Sequence, residues 1–281
     1  MSTRVSIEVD DAGVADVRLD RPDKRNALDG PMFKGLRDAG EELKASPHVR
    51  VVVLSGRGES FCAGLDFASF GSMVAGTGAG GDPGTAQTAD ARTSDPMAIQ
   101  ASGITHLGQQ VAWVWQELAV PVIAAVHGHA LGGGFQIALG TDIRIVHPDA
   151  QLSMREVHWG LVPDMTGTLL LSRLVAPDVA KDLTFTARVV SGREAGALGL
   201  ATRVSETPLD DAFAMAAEIA GRSPDAVRAA KALINRIAVA GAAEQFAEER
   251  RIIHDLIGSP NQVEAVTANF ERRPPRFTDP T

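Results

Sequence analysis

The sequence is poor in cysteine and in long apolar runs. Among 281 residues there is one cysteine, Cys62, which cannot form an internal disulfide and therefore favours a reducing compartment. The N-terminal segment MSTRVSIEVD lacks the apolar stretch of a secretion signal. No apolar run reaches the roughly 18 residues that a membrane-spanning helix needs. The sequence therefore predicts a soluble, cytoplasmic protein that does not insert into membranes.

The sequence has fewer basic than acidic residues, 27 against 35, which gives a formal net charge of −8 at pH 7. Surfaces that bind nucleic acid need clustered lysine and arginine, so we expect no nucleic-acid partner. A chain of 281 residues is long enough for one large domain, or for one domain with an appendage.

Apolar periodicity predicts helices that alternate with buried strands. Strand-like runs occupy 4–9, 14–19, 51–54 and 122–126, and helical spacing occupies 31–45 and 104–118. The first two strands flank a turn signal and predict an opening hairpin. Alternation of this kind is typical of an α/β fold.

Two regions depart from this alternation. Residues 71–96 are rich in small and polar residues and predict a mobile surface loop, with no flanking strand and helix to support a dinucleotide site. After about residue 206 only helical patterns occur, with helices that begin near 209, 224 and 260. We therefore predict a core over 1–205, with an insertion near 71–96, and a helical region over 206–281 that packs on another subunit.

Three consecutive glycines, 132–134, follow the apolar run 122–126 at the start of a predicted helix. The first turn of a helix has unpaired N–H groups, which attract negative charge. Because glycine has no Cβ, a ligand can approach this backbone, and the main chain can act as an oxyanion hole. The alternative is that the glycines only allow close packing. A second glycine-bounded segment, 56–66, follows another predicted strand and favours the oxyanion hole.

Three segments, in this order and spacing, resemble the signature segments of the enoyl-CoA hydratase/isomerase (crotonase) family: GRGESFCAGLDF, PVIAAVHGHALGGGFQIALGTDIRI and AQLSMREVHWGLVPDMTG. The segment RPDKRNALD, 21–29, is similar to the N-terminal acyl-CoA segment of that family. The resemblance implies a crotonase-like spiral of ββα units with a helical C-terminal trimerisation region. It also implies homotrimers or dimers of trimers, an acyl-CoA substrate that carries its own CoA, and no further cofactor.

The resemblance implies roles for individual residues. The two oxyanion-hole N–H groups map to Ala63 and Gly133, and they would hold the thioester oxygen as an enolate forms. Hydratases of the family carry glutamates at the positions of Gln136 and Glu156, but Gln136 can orient a water without accepting its proton. Glu156 and Asp164 instead resemble the two carboxylates of the family's dienoyl-CoA isomerases, which differ from this chain in having an aspartate at the position of Gln136.

The sequence leaves three functions open and favours the first. The first is a double-bond isomerase of fatty-acid metabolism that uses Glu156 and Asp164. The second is a specialised hydratase in which Gln136 positions water, and the third is a non-catalytic acyl-CoA-binding relative. The structural alternatives are that Glu156 forms a cap or pairs locally with Arg155, and that Asp164 caps the helix containing 169–171.

Binding of CoA and of metals involves further candidates. The phosphates of CoA attract cations, although lysine and arginine are more often solvated surface charges. The family resemblance implies the CoA-binding residues, which are Lys24, Arg25, Ala27, Ala63, Asp66 and Arg272. His127 and His129 form an HxH pair without further ligands, so we expect no metal site.

Overall fold

A computed structural model describes residues 4–67, 103–238 and 242–276. The loop predicted at 71–96 lies outside the described residues. The strands are β1 (Val5–Val9), β2 (Val14–Leu19), β3 (Val51–Gly56), β4 (Val122–Val126), β5 (His129–Leu131), β6 (Ile143–Val146), β7 (Gln151–Ser153), β8 (Val190–Ser191) and β9 (Arg203–Val204).

The helices alternate with these strands up to β9 and then follow one another. They are α1 (Gly30–Lys44), α2 (Leu107–Glu117), α3 (Gly133–Leu139), α4 (Gly167–Leu171), α5 (Pro177–Thr186), α6 (Gly192–Leu198), α7 (Pro208–Ala220), α8 (Pro224–Ala238), α9 (Ala242–Leu256) and α10 (Pro260–Phe270). Short 3-10 helices span Pro22–Lys24 and Glu156–Trp159.

Two sheets organise the chain. The hairpin of β1 and β2 is antiparallel, and the larger sheet then continues in parallel with the strand order β1-β2-β3-β4-β6-β9. The smaller sheet has the order β5-β7-β8. Because β5 follows β4 after a two-residue turn and leads into α3, the glycine segment lies where the two sheets meet. The predicted hairpin and the parallel α/β arrangement are confirmed.

Apolar layers cover both faces of the larger sheet. Leu54, Ala124 and Val126 belong to the cluster that α1, α2 and α3 complete on one face. On the other face, Val53 and Ile123 pack against the small residues of α7, which are Ala212, Ala216 and Ala220. Burial on both faces explains the continuous apolar runs of β3 and β4.

Local signals set the ends of several helices. The side chain of Asp29 accepts a hydrogen bond from the N–H of Met32 (2.9 Å) and begins α1. In α2 the predicted start at 104 is three residues too early, because His106 caps the helix with a hydrogen bond from the N–H of Gly108 (3.0 Å). The helix predicted to begin near 260 is α10, and Ser259 caps it, since its hydroxyl accepts from the N–H of Gln262.

The C-terminal helices are confirmed, with one addition. The predicted helices correspond to α7, α8 and α10, whereas α9 (Ala242–Leu256) was not predicted. The buried residues of α9 include Phe246, Glu249 and Ile253, and strongly charged residues lie between them. The spacing of apolar residues alone therefore does not predict this helix.

Within the described ranges, every helix is too short or too polar to cross a lipid bilayer.

Candidate active site

The three glycines at the start of α3 are each explained by a different feature of the structure. Gly132 has φ 51° and ψ −121°, a backbone conformation that is favourable for glycine and unfavourable for residues with a Cβ. A Cβ on Gly134 would lie 2.2 Å from the carbonyl oxygen of Cys62, so close packing explains that glycine. A Cβ on Gly133 would lie 2.7 Å from Cδ1 of Leu28. Gly133 is the first residue of α3, and its N–H donates no hydrogen bond among the described residues.

The segment 62–66 runs beside this glycine turn, and its hydrogen bonds show which of its N–H groups already have an acceptor. Three of them donate to carbonyl oxygens: Cys62 to His129 (2.8 Å), Ala63 to Arg25 (2.9 Å) and Asp66 to Leu28 (3.0 Å). The N–H groups of Gly64 and Leu65 have no oxygen acceptor in the described part of the chain. The backbone of Gly64 acts on the Cys62 thiol and lowers its pKa, so the N–H of Leu65 is the candidate for binding a ligand.

The structure therefore contradicts Ala63 as an oxyanion-hole donor, because its N–H is already bound to the carbonyl of Arg25. A Cβ on Gly64 would lie 2.6 Å from the carbonyl oxygen of Leu131, so the segment packs directly against the residues before Gly133. The two unpaired N–H groups, of Leu65 and Gly133, thus lie on adjoining segments. The residue types of this segment do not predict Leu65 as a donor, because the register of the backbone hydrogen bonds determines which N–H group lacks an acceptor.

Glu156 lies next to these amides, at the start of the 3-10 helix after β7. Its side chain is buried, with 9% of the residue exposed, and Oε1 accepts a hydrogen bond from Nε2 of Gln136 (2.6 Å). A Cβ on Gly132 would come within 3.2 Å of that same Oε1 atom. Oε2 of Glu156 has no hydrogen-bond partner among the described residues. One buried carboxylate oxygen therefore remains available beside the glycine turn.

Burial raises the pKa of Glu156 from 4.5 to about 7, against the smaller lowering effects of hydrogen bonds and of Arg155. The predicted alternative, an ion pair between Glu156 and Arg155, does not form. The guanidinium of Arg155 donates instead to the carbonyl of Ala187 (3.2 Å).

Gln136 connects Glu156 to the loop that carries Asp164. While Nε2 donates to Glu156, Oε1 of Gln136 accepts from the N–H groups of Met165 (2.9 Å) and Gly167 (2.9 Å). The side chain is fully buried. Gln136 is therefore held at both ends of its amide as a bridge.

Asp164 is partly buried in the loop before α4. The cap of α4 is Thr166, so the alternative that Asp164 caps this helix is wrong. Burial, together with the negative charges of Glu156 and Glu249, raises the pKa of Asp164 from 3.8 to about 7. The structure thus brings Gly133, Gln136, Glu156 and Asp164 together, as predicted, and adds Leu65 and Glu249.

The predicted CoA-binding residues are divided between surface and interior. Segment 21–29 runs beside 62–66, since Leu28 and Leu65 form a parallel bridge. Lys24, Arg25 and Arg272 are exposed, and Ala27 is buried with its carbonyl accepting from Arg21 (3.1 Å). The carboxylate of Asp66 is paired with Arg21 (2.5 Å), which gives Asp66 a structural role in joining the two segments.

Cys62 and the two histidines take part in structural contacts. The Cys62 thiol donates to the carbonyl of Asn26 (3.1 Å), and burial raises its pKa to about 12, so it is a packed and unreactive group. His127 bonds the carbonyl of Gly58 (2.9 Å), whereas His129 bonds the hydroxyl of Ser60 (2.9 Å). No group of three metal-ligating side chains occurs among the described residues.

Comparison with known proteins leads from this geometry to acyl-CoA enzymes. The family model described as enoyl-CoA hydratase/isomerase matches residues 14–280. The chain belongs to this family, and its fold is the crotonase fold, which confirms the resemblance seen in the sequence.

Individual relatives carry both activities in their names. The chain is 34% identical over 263 residues to the short-chain-enoyl-CoA hydratase of Clostridium acetobutylicum, covering 92% of each protein. It is 32% identical over 270 residues to the peroxisomal Δ(3,5)-Δ(2,4)-dienoyl-CoA isomerase of Arabidopsis thaliana, covering 95% of this chain and 93% of the relative. A solved enoyl-CoA hydratase/isomerase from Pseudoalteromonas atlantica T6c matches with TM-score 0.81 at 27% identity, over 98% of this chain and 100% of that one.

The raised pKa of Glu156 predicts a stability effect. Between pH 4.5 and about 7 the folded protein retains a proton that the unfolded chain releases, so the free energy of unfolding falls as pH rises through this window. Glu156→Gln removes this cost, and we expect the variant to be more stable than the wild type at pH 8, by at most about 3 kcal/mol. The advantage should shrink towards pH 5.

Urea unfolding at pH 5 and pH 8 measures this difference. Glu42→Gln, which changes an exposed carboxylate on α1, serves as the control and should be neutral at both values. A stability difference between Glu156→Gln and wild type that is the same at pH 5 and pH 8 would contradict the predicted titration.

Proposed function

We propose that the protein is a double-bond isomerase of enoyl- or dienoyl-CoA thioesters. In this proposal the N–H groups of Leu65 and Gly133 hold the thioester oxygen, and Glu156 and Asp164 move a proton along the acyl chain. The observation that carries the proposal is the pair of carboxylates with pKa values of about 7 beside two unpaired amides.

The chemistry needs only these groups. Hydrogen bonds to the thioester oxygen stabilise the enolate that forms when a base removes a proton from carbon 2. In a 3,5-dienoyl-CoA the electrons then shift along the conjugated system, and an acid returns a proton to carbon 6, which gives the 2,4-dienoyl isomer. Two coupled carboxyls near pH 7 suit these roles, because the charge of one favours the protonated form of the other.

Gln136 is the reason to prefer isomerisation over hydration. Addition of water benefits from a second carboxylate as general base, and loss of such a base costs roughly 10²- to 10⁴-fold. The amide of Gln136 cannot take a proton and is already bound to Glu156, Met165 and Gly167. A specialised hydratase that uses Glu156 alone is the second candidate, supported by the relatives that are named as enoyl-CoA hydratases.

Purified protein supplied separately with 3,5-dienoyl-CoA and 2-enoyl-CoA tests the proposal. We expect 3,5-dienoyl-CoA to be converted to the 2,4 isomer and 2-enoyl-CoA to be hydrated slowly. Fast hydration without isomerisation would establish the hydratase instead. Tight binding of both substrates without turnover of either would indicate a binding protein and overturn the proposal.

Restoring the missing carboxylate should shift the balance of activities. In Gln136→Glu we expect hydration of 2-enoyl-CoA to rise at least about tenfold, because a second general base then faces Glu156. Steady-state hydration rates measure the effect. Gln116→Glu is the matched control. Gln116 lies on α2, where its side-chain amide donates a hydrogen bond to the carbonyl of Gly140 and not to Glu156. Hydration that stays unchanged in Gln136→Glu would show that Gln136 does not limit this reaction.

The proposal extends to CoA binding and assembly. Lys24, Arg25 and Arg272 are exposed cations that we propose meet the CoA phosphates, and α8 presents Leu233 and Ile234, 66% and 68% exposed, for contact with another copy in a trimer. Light scattering in solution tests the assembly, and a monomeric mass would contradict it.

A further inference from the structure

Glu249 is a buried carboxylate that the proposed chemistry does not use. It projects from α9, with 3% of the residue exposed, towards the loop that follows Asp164. Its Oε2 atom accepts hydrogen bonds from the N–H of Thr166 (3.2 Å) and from Nε2 of Gln109 (3.1 Å), and Oε1 accepts from the hydroxyl of Thr168. A helix of the C-terminal region therefore reaches the candidate active site.

The contacts of Glu249 alternate with those of Gln136 along the loop. Gln136 binds the N–H groups of Met165 and Gly167, whereas Glu249 binds the N–H of Thr166 and the hydroxyl of Thr168. Two side chains from different helices thus hold four consecutive residues. Thr166 has φ 69°, a left-handed conformation that a β-branched residue adopts only when its surroundings enforce it.

A stabilising role alone does not explain a carboxylate at this place. Burial of a negative charge is unfavourable unless several donors surround it, and the charge of Glu249 acts on Asp164 in the neighbouring loop. The donors that compensate Glu249 belong to the loop next to Asp164 and to Gln109 of α2. The carboxylate of Glu249 is therefore tied to the position of the loop.

We propose that Glu249 is a positioning residue that, together with Gln136, clamps residues 165–168 and so fixes Asp164 opposite Glu156. The inference rests on the proposed function, because the position of Asp164 affects turnover only if that carboxyl exchanges protons with the acyl chain. Glu249 itself contacts no reacting atom in this scheme.

Hydrogen exchange of the full-length protein tests the clamp without reference to turnover. In Glu249→Ala we expect amide exchange in a peptide spanning 161–170 to be at least about tenfold faster than in the wild type, because local opening becomes easier. Glu248→Ala is the matched control on the same helix, since Glu248 is exposed and pairs with Arg251. Equal exchange in Glu249→Ala and wild type would overturn the clamp.

Steady-state kinetics then test its consequence. We expect Glu249→Ala to lower kcat for isomerisation by about 10²-fold with a KM within about threefold of the wild type, since a small misplacement of a catalytic group has this effect. Glu249→Gln keeps one acceptor oxygen and should recover part of the rate. With the Glu249 charge gone and Glu156 left as the charged neighbour, the limb of the pH–rate profile that belongs to Asp164 should move to lower pH.

Two outcomes separate the clamp from the proposed function. If the wild type turns over neither substrate, the proposed function fails while hydrogen exchange still decides the clamp. If Glu249→Ala does not fold, Thr168→Val provides the second variant, because it removes one donor to Glu249 and leaves the charge in place. Faster exchange over 161–170 in Thr168→Val is expected, and wild-type exchange together with wild-type kcat would overturn the proposal.

Discussion

Replacing Glu156 with glutamine is expected to lower kcat for isomerisation by about 10²- to 10⁴-fold, as loss of a general acid or base usually does. The glutamine keeps the shape and can still accept the hydrogen bond from Gln136, but it can neither take up nor release a proton. KM for the acyl-CoA should change little, because the proposed contacts with the thioester come from main-chain amides. Steady-state turnover of 3,5-dienoyl-CoA measures the effect.

Unfolding does not account for such a loss, since the same variant is expected to be more stable than the wild type at pH 8. Glu248→Gln, an exposed position on α9, provides the kinetic control and should turn over substrate at the wild-type rate. Isomerisation by Glu156→Gln within a few-fold of the wild type would remove Glu156 from the chemistry.

The second large effect is expected at Asp164. Asp164→Asn preserves the shape of the side chain and removes the proton-transfer group, so we expect isomerisation to fall by about 10²- to 10⁴-fold. Isomerisation that survives Asp164→Asn unchanged would assign Asp164 to structure alone.

Solvent deuterium distinguishes the acid from the base. If Asp164 is the acid, Asp164→Asn still removes the proton at carbon 2 and incorporates deuterium into the remaining substrate without forming product. If Asp164 is the base, the variant loses both exchange and isomerisation. Glu156→Gln should show the opposite behaviour in each case, and identical exchange in the two variants would contradict a division of roles.

Much of the fold was predictable because periodicity and caps agree with the tertiary structure. The hairpin of β1 and β2, the buried strands β3 and β4 and the helix after the glycines all have strong local signals. By contrast, α9 buries few residues and its sequence is strongly charged. Which of its residues are buried therefore depends on the elements against which the helix packs. Because α9 was missed, Glu249 was missed as well.

The site was predictable in its residue types and less so in its backbone. The positions of Gly133, Gln136, Glu156 and Asp164 follow from the family motifs, whereas the donor assigned to Ala63 was wrong. The direction of an N–H group depends on the pairing of 62–66 with two neighbouring segments, which residue types do not specify. The same pairing accounts for Asp66, whose carboxylate is bound to Arg21.

Several expectations stay predictions. These are the contacts of Lys24, Arg25, Ala27, Ala63, Asp66 and Arg272 with CoA, the cytoplasmic location, the trimeric assembly and the absence of a further cofactor. Each of these properties depends on a ligand, on another molecule or on the cell, and the contacts within one chain do not determine it.

The central claim is that the N–H groups of Leu65 and Gly133 bind the same thioester oxygen. A crystal structure with a non-reactive acyl-CoA tests it most directly. We predict that the thioester oxygen lies about 2.7–3.1 Å from both nitrogen atoms, with the acyl chain between Glu156 and Asp164. A thioester oxygen that contacts neither amide would contradict the account.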